Sequence, residues 1–65
     1  MIPILFVTFM ACHPAQGCDV VEIPVRAPTV LACSHRAIMV AAAWICEHEG
    51  FEIRGPITCS AGREV

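Results

Sequence analysis

Residues 33–50, CSHRAIMVAAAWICEHEG, decide how this chain folds. Within them, residues 37–46 form an apolar run without glycine or proline. Three alanines in succession favour helix. Thr29 or Ser34 is placed to cap the start, and Gly50 to end it. A helix is therefore predicted over residues 33–49. At ~100° per residue, Ala37, Ile38, Ala41, Trp44 and Ile45 share one side, and Arg36, Ala43 and Glu47 the other. The first side is expected to pack on a sheet, where small alanines allow close approach. Trp44 supplies the largest single burial. The ten-residue run is shorter than the ~20 apolar residues of a bilayer crossing, so no membrane span is expected.

Working outward, residues 2–12, IPILFVTFMAC, present a choice. The run resembles the apolar core of a signal peptide, and residues 9–12 resemble a poor lipoprotein cleavage box. No Lys or Arg precedes it, whereas a secretory leader begins basic. Ile, Val, Phe and Thr dominate, which suits a strand. Alternation puts Ile4, Phe6, Thr8 and Met10 on one face and Leu5, Val7, Phe9 and Ala11 on the other. Both faces are largely apolar, as in a strand covered on two sides. Residues 13–17, HPAQG, read as a turn. Residues 19–25 form a second strand, and Pro24 assigns it to an edge. Residues 51–59, FEIRGPITC, form a third, with Phe51, Ile53, Ile57 and Cys59 alternating with Glu52, Arg54 and Thr58. Gly55-Pro56 places that strand at an edge or at a bulge. A polar tail, residues 60–65, follows.

Two proline-bearing edge strands and one apolar strand predict the order 2-1-3. The helix crosses from the second strand to the third. The expected fold is α+β: a single two-layer ββαβ domain with a three-stranded sheet and one helix on one face. One helix leaves the other face open. That face is expected to carry Leu5, Val7 and Phe9 beside Glu22, Glu52, Arg54 and Thr58. An apolar stripe with a polar rim marks an interaction surface, so a protein partner or a second copy is expected there. The competing reading folds the tail or residues 26–32 across the stripe.

Size and composition bound the function. A 65-residue core rarely supplies more than ~3–5 kcal/mol unaided, so staples or partners are needed. The chain is 57% hydrophobic and 15% charged, which excludes disorder. The net charge of −2 comes without a basic patch, so nucleic acid is not an expected partner.

Five cysteines in so short a chain point to disulfides. Cys12 and Cys18 flank the hairpin turn. Cys33 at the helix start and Cys59 at the end of the third strand both fall at the opposite end of the sheet. The antiparallel topology therefore favours Cys12–Cys18 and Cys33–Cys59, with Cys46 left as a buried thiol beside Trp44. A third strand parallel to the first would favour Cys12–Cys59 with Cys18–Cys33 instead. The rival reading is zinc, since Cys12-His13, Cys33-Ser34-His35 and Cys46-Glu47-His48 each pair a thiol with a nearby imidazole. But no Cys-x-x-Cys occurs. Two residues along a helix are ~200° apart, which separates Cys46 from His48. No metal or other cofactor is expected. The chain also lacks a phosphate loop and a nucleophile elbow, and adjacent Ser34 and His35 do not make a triad. Glu47, Glu49 and Glu52 read as a solvated helix terminus. No catalytic residue is assigned, and an enzyme is not expected.

The apolar strand ending in Ala11-Cys12, then Cys18, Cys33, Trp44 with residues 47–51 (EHEGF), and Cys59 before Gly62-Arg63 together resemble a class of short uncharacterised bacterial open reading frames. Some of these lie in prophages. The resemblance spans most of the chain on loose motifs, implies no activity and transfers no functional residue. The expected role is a non-enzymatic, disulfide-stabilised structural or interaction domain of a larger assembly. A phage particle would allow disulfides to form after lysis without a leader, so a cytoplasmic or virion-associated location is favoured over a periplasmic one. The alternatives are a zinc-binding small protein and a small inhibitor of a host protein.

Overall fold

The computed structural model describes residues 2–61, as β1 (Ile4–His13), β2 (Gly17–Arg26), α1 (Val30–Glu47) and β3 (Glu52–Ala61). The expected polar tail is divided by this limit. Ser60 and Ala61 belong to β3, and residues 62–65 lie outside the described residues.

The sheet order is β2-β1-β3, with both neighbours antiparallel to β1. The fold is therefore the small α+β unit that the prolines and the apolar strand predict. β1 sits centrally because it is apolar on both faces and carries a complete set of backbone donors. The two outer strands are those with an internal proline, Pro24 and Pro56. An outer strand tolerates proline because the missing N–H can face away from the ladder. The hairpin closes with a three-residue turn rather than five, since His13 and Gly17 already pair. Gly17 has φ +85, a conformation glycine adopts without steric cost.

Pro24 also explains the hairpin's cross-link. It lies opposite Phe6 and cannot donate to β1, so this is a pair without mutual backbone bonds. Every second pair along an antiparallel ladder is of that kind, and Cys12 opposite Cys18 is reached in an even number of steps. Such pairs bring the backbones closest, and here the Cα atoms are 4.0 Å apart.

β3 carries the expected irregularity. Between Thr8 and Met10 of β1, the partner on β3 jumps from Thr58 to Arg54, so β3 contributes two extra residues around Gly55-Pro56. Two is an even number, so the strand's sidedness is preserved through the bulge. Ile53, Ile57 and Cys59 stay toward the helix, and Arg54 and Thr58 stay on the other side.

The helix begins three residues earlier than the sequence suggests. Thr29 is its N-cap, in extended conformation, and its hydroxyl accepts from the Ala32 N–H at 3.1 Å. Cys33, Ala37 and Ala41 are its buried residues. These are small, so the helix comes close to the sheet while the sheet supplies the bulk: Leu5, Val7, Phe9 and Ala11 of β1 are buried, and Val21, Ile23 and Val25 of β2 pack beside them.

Three expectations are corrected here. Leu5, Val7 and Phe9 do not line the open face. They lie beneath the helix, with Val7 at 0% and Phe9 at 2% exposure. The hairpin register is the reason. It sets them opposite Val25, Ile23 and Val21, whereas Glu22 faces Thr8. The side of the sheet that is apolar on all three strands is the side that attracts the helix. Second, Ile38 is 68% exposed rather than packed on the sheet, because Cys33, Ala37 and Ala41 define a contact line from which Ile38 is turned away. Third, Cys46 is exposed. It falls about 180° from Ala37 around the helix, so proximity to Trp44 in sequence does not bring it inside.

Candidate functional site

The open face of the sheet is built by alternate residues of the three strands. β1 contributes Ile4, Phe6, Thr8 and Met10. Val20 and Glu22 of β2 flank one side, and Glu52, Arg54 and Thr58 of β3 the other. Ile4, Met10 and Val20 are exposed, and Phe6 and Thr8 are half-buried. Of the five residues expected at an interface, Glu52 and Arg54 are on this face, and Leu5, Val7 and Phe9 are not. Arg54 Nε donates to Glu52 Oε2 at 2.7 Å, with both side chains well exposed. A pair so wetted adds little stability, which leaves the arginine fork available to exchange its partner. Around the β3 bulge, Thr8, Met10, Val20, Arg54, Pro56 and Thr58 line a shallow apolar groove.

Two disulfides bracket the molecule. Cys12–Cys18 closes the hairpin end. Cys33–Cys59 ties the first turn of the helix to β3, with Cα atoms 6.1 Å apart. Both join elements already packed together, so they restrict the unfolded chain with little demand on the folded one. Among the described residues, no three His, Cys, Asp or Glu side chains converge as a metal site. The four bonded cysteines have no thiolate to offer an ion.

At the other end of the helix, Trp44 makes edge contacts with Phe9 at 5.6 Å and Phe51 at 5.3 Å between ring centroids. His48 stacks on Trp44 at 3.9 Å, and its Nδ1 donates to the Trp44 carbonyl at 2.8 Å, which places a proton on Nδ1. His13 packs on Phe51 from the other side, and its Nδ1 accepts from the Ala15 N–H at 3.0 Å. Each imidazole thus has one nitrogen engaged by backbone. The cluster closes the helix end over the sheet, and sequence reasoning missed it because its members come from three separate segments. Gly50 seals it, with φ +90; a Cβ there would stand 2.6 Å from His13 Nε2. Gly50→Ala is therefore expected to lose about 2 kcal/mol from backbone strain alone, with the steric contact adding to it. Urea denaturation of the oxidised variant checks this, and an unchanged midpoint contradicts the seal.

The helix also bears on the membrane question. At 18 residues it is long and apolar enough to cross a bilayer by length and composition, and the ten-residue run in the sequence is only its middle. In this structure it is held to the sheet by its buried residues and by the Cys33 disulfide.

No family model, curated protein or solved structure matches the chain. The class the structure defines is a small disulfide-stabilised α+β domain.

Proposed function

We propose that the protein is a non-enzymatic interaction domain that docks, through the open face of its sheet, onto a protein partner or a second copy within a larger assembly. The observation that carries this reading is the apolar stripe of Ile4, Phe6, Met10 and Val20, rimmed by Glu22, Glu52 and Arg54. The helix leaves that face uncovered, although the chain is short of buried surface. A phage-derived or accessory component of a particle fits the combination of small size, two disulfides and one apolar face.

Met10 lies at the centre of the stripe, opposite Val20 and Arg54. Met10→Glu is expected to keep the fold, because the side chain is exposed and the new carboxylate meets Arg54. It is expected to weaken association through this face by at least about tenfold, the equivalent of 1.4 kcal/mol. Sedimentation velocity over a concentration series compares the two proteins. Equal association of wild type and a folded Met10→Glu variant, or a wild type that stays monomeric at every concentration, counts against the sheet face as a self-interaction surface.

A further inference from the structure

The two disulfides differ in exposure and in what surrounds them. Cys33 is fully buried and Cys59 half-buried, and their bridge lies between the helix and the sheet. Cys12 and Cys18 continue the alternation of Met10 and Val20, so their bridge lies on the open face. Cys18 is exposed, whereas Cys12 is only 8% exposed. On the other side of β1, β3 sets Glu52 opposite Cys12 and Arg54 opposite Met10. Cys12, Cys18, Glu52 and Arg54 line one cleft together with His13 and Pro14.

We propose that Cys12–Cys18 is a site of thiol–disulfide exchange, at which an outside thiolate attacks Cys18 and releases Cys12. The direction follows from access. An attacking thiolate must reach one sulfur from behind, in line with the bond that it breaks. That bond runs across the sheet from β1 to β2. No strand lies beyond β2, so the approach to Cys18 is open. The approach to Cys12 comes from the β3 side, where the Glu52 carboxylate stands in the path and repels an anion. The other bridge is shielded at Cys33, which the helix and sheet enclose.

The exchange balances. The incoming sulfur bonds to Cys18, the Cys12–Cys18 bond breaks, and its electron pair leaves on Cys12 Sγ, which takes a proton from water. A second outside thiol that displaces the first leaves two protein thiols, and the two outside thiols are oxidised to one disulfide. Arg54 favours the first step. Its ion pair with Glu52 is well exposed and weak, so the guanidinium can turn toward Cys12 as negative charge develops there. A thiol leaves faster when its anion is stabilised, and Glu52 works against that stabilisation. The two side chains therefore act in opposite senses on one bond. The docking of the open face does not enter this argument, so the failure of either reading leaves the other standing.

The test uses the full oxidised chain in a Cys46→Ser background, reacted briefly with glutathione at neutral pH and quenched with N-ethylmaleimide. Tandem mass spectrometry is expected to find glutathione on Cys18 and maleimide on Cys12 at least about tenfold over the reverse product, with Cys33–Cys59 intact. Arg54→Gln is expected to slow the opening and Glu52→Gln to speed it, each at least about threefold. Both side chains are exposed, and circular dichroism checks that both variants fold. Reduced thioredoxin run beside glutathione tells a protein thiol from a free one as the source, by the faster opening per thiolate. Glutathione mainly on Cys12 overturns the direction of attack. Opening of Cys33–Cys59 at the same rate overturns the site. Rates that move together in the two variants, or do not move, overturn the roles of Arg54 and Glu52.

Discussion

Val7→Asp is expected to leave no cooperatively folded protein at 25 °C. Val7 is fully buried between the sheet and the helix. A carboxylate placed there has no partner in the core, because no polar or charged side chain is buried among the described residues. Desolvating it costs several kcal/mol and forfeits the burial of the valine, against about 3–5 kcal/mol that a core of this size supplies before its disulfides are added. The neighbouring substitution Thr8→Lys is the control. Thr8 is on the open face, opposite Glu22, so a lysine gains an opposite charge and keeps its amine in water. Thermal unfolding followed by circular dichroism separates the two. A folded Val7→Asp with a collapsed Thr8→Lys would show that the helix covers the other side of the sheet.

The second large effect is expected from the longer disulfide. Replacing both Cys33 and Cys59 with alanine removes a cross-link spanning 26 residues, worth about 3.5 kcal/mol in the chain-entropy model. The Cys12, Cys18 pair spans six, and its removal costs about 2.2 kcal/mol. Both figures are a large share of what the core supplies unaided, and the first is the larger by about 1.3 kcal/mol. The Cys33→Ala/Cys59→Ala variant is therefore expected to be the less stable of the two, with the Cys12→Ala/Cys18→Ala variant losing less. The helix adds to the asymmetry. Its fully buried residues are all small, and its one bulky anchor, Trp44, lies at the far end, so Cys33 is the restraint that seats the first turn. Urea denaturation of both oxidised double variants checks the order, and the reverse order would show that the hairpin closure is the critical restraint.

Much of the architecture was legible because single residues carry strong backbone rules. Proline bars Pro24 and Pro56 from a central strand, and that alone orders the sheet. Gly50 and the alanines mark the helix, although its true start needed Thr29 to be preferred over Ser34. The covered side of the sheet was within reach and was missed. A disulfide between Cys12 and Cys18 implies that paired residue numbers sum to thirty, which sets Leu5, Val7 and Phe9 beside Val25, Ile23 and Val21. Alternation within β1 could not show this, because both of its faces are apolar; the answer lay in the less apolar neighbours. Ile38 and Cys46 were misplaced for a related reason. In a helix that is apolar almost all round, hydrophobicity does not say which side is inward. The disulfide does: with Cys33 tied to Cys59 beneath the helix, Ala37 and Ala41, one turn and two turns on, are the positions that follow it inward. The aromatic and histidine cluster around Phe51 was illegible for want of any local pattern, since tertiary packing alone assembles it.

The prolines of the two outer strands reach beyond the fold of one chain. Sheets commonly widen by accepting another strand at a bare margin. Here one margin lacks a donor at Pro24, and the other is buckled by the two extra residues around Pro56. The molecule behaves as a tile with a top and a bottom and no usable sides. A strand offered at either margin meets an interrupted ladder, so a chain this rich in β-branched and apolar residues is hindered from growing into a fibril along its own strands.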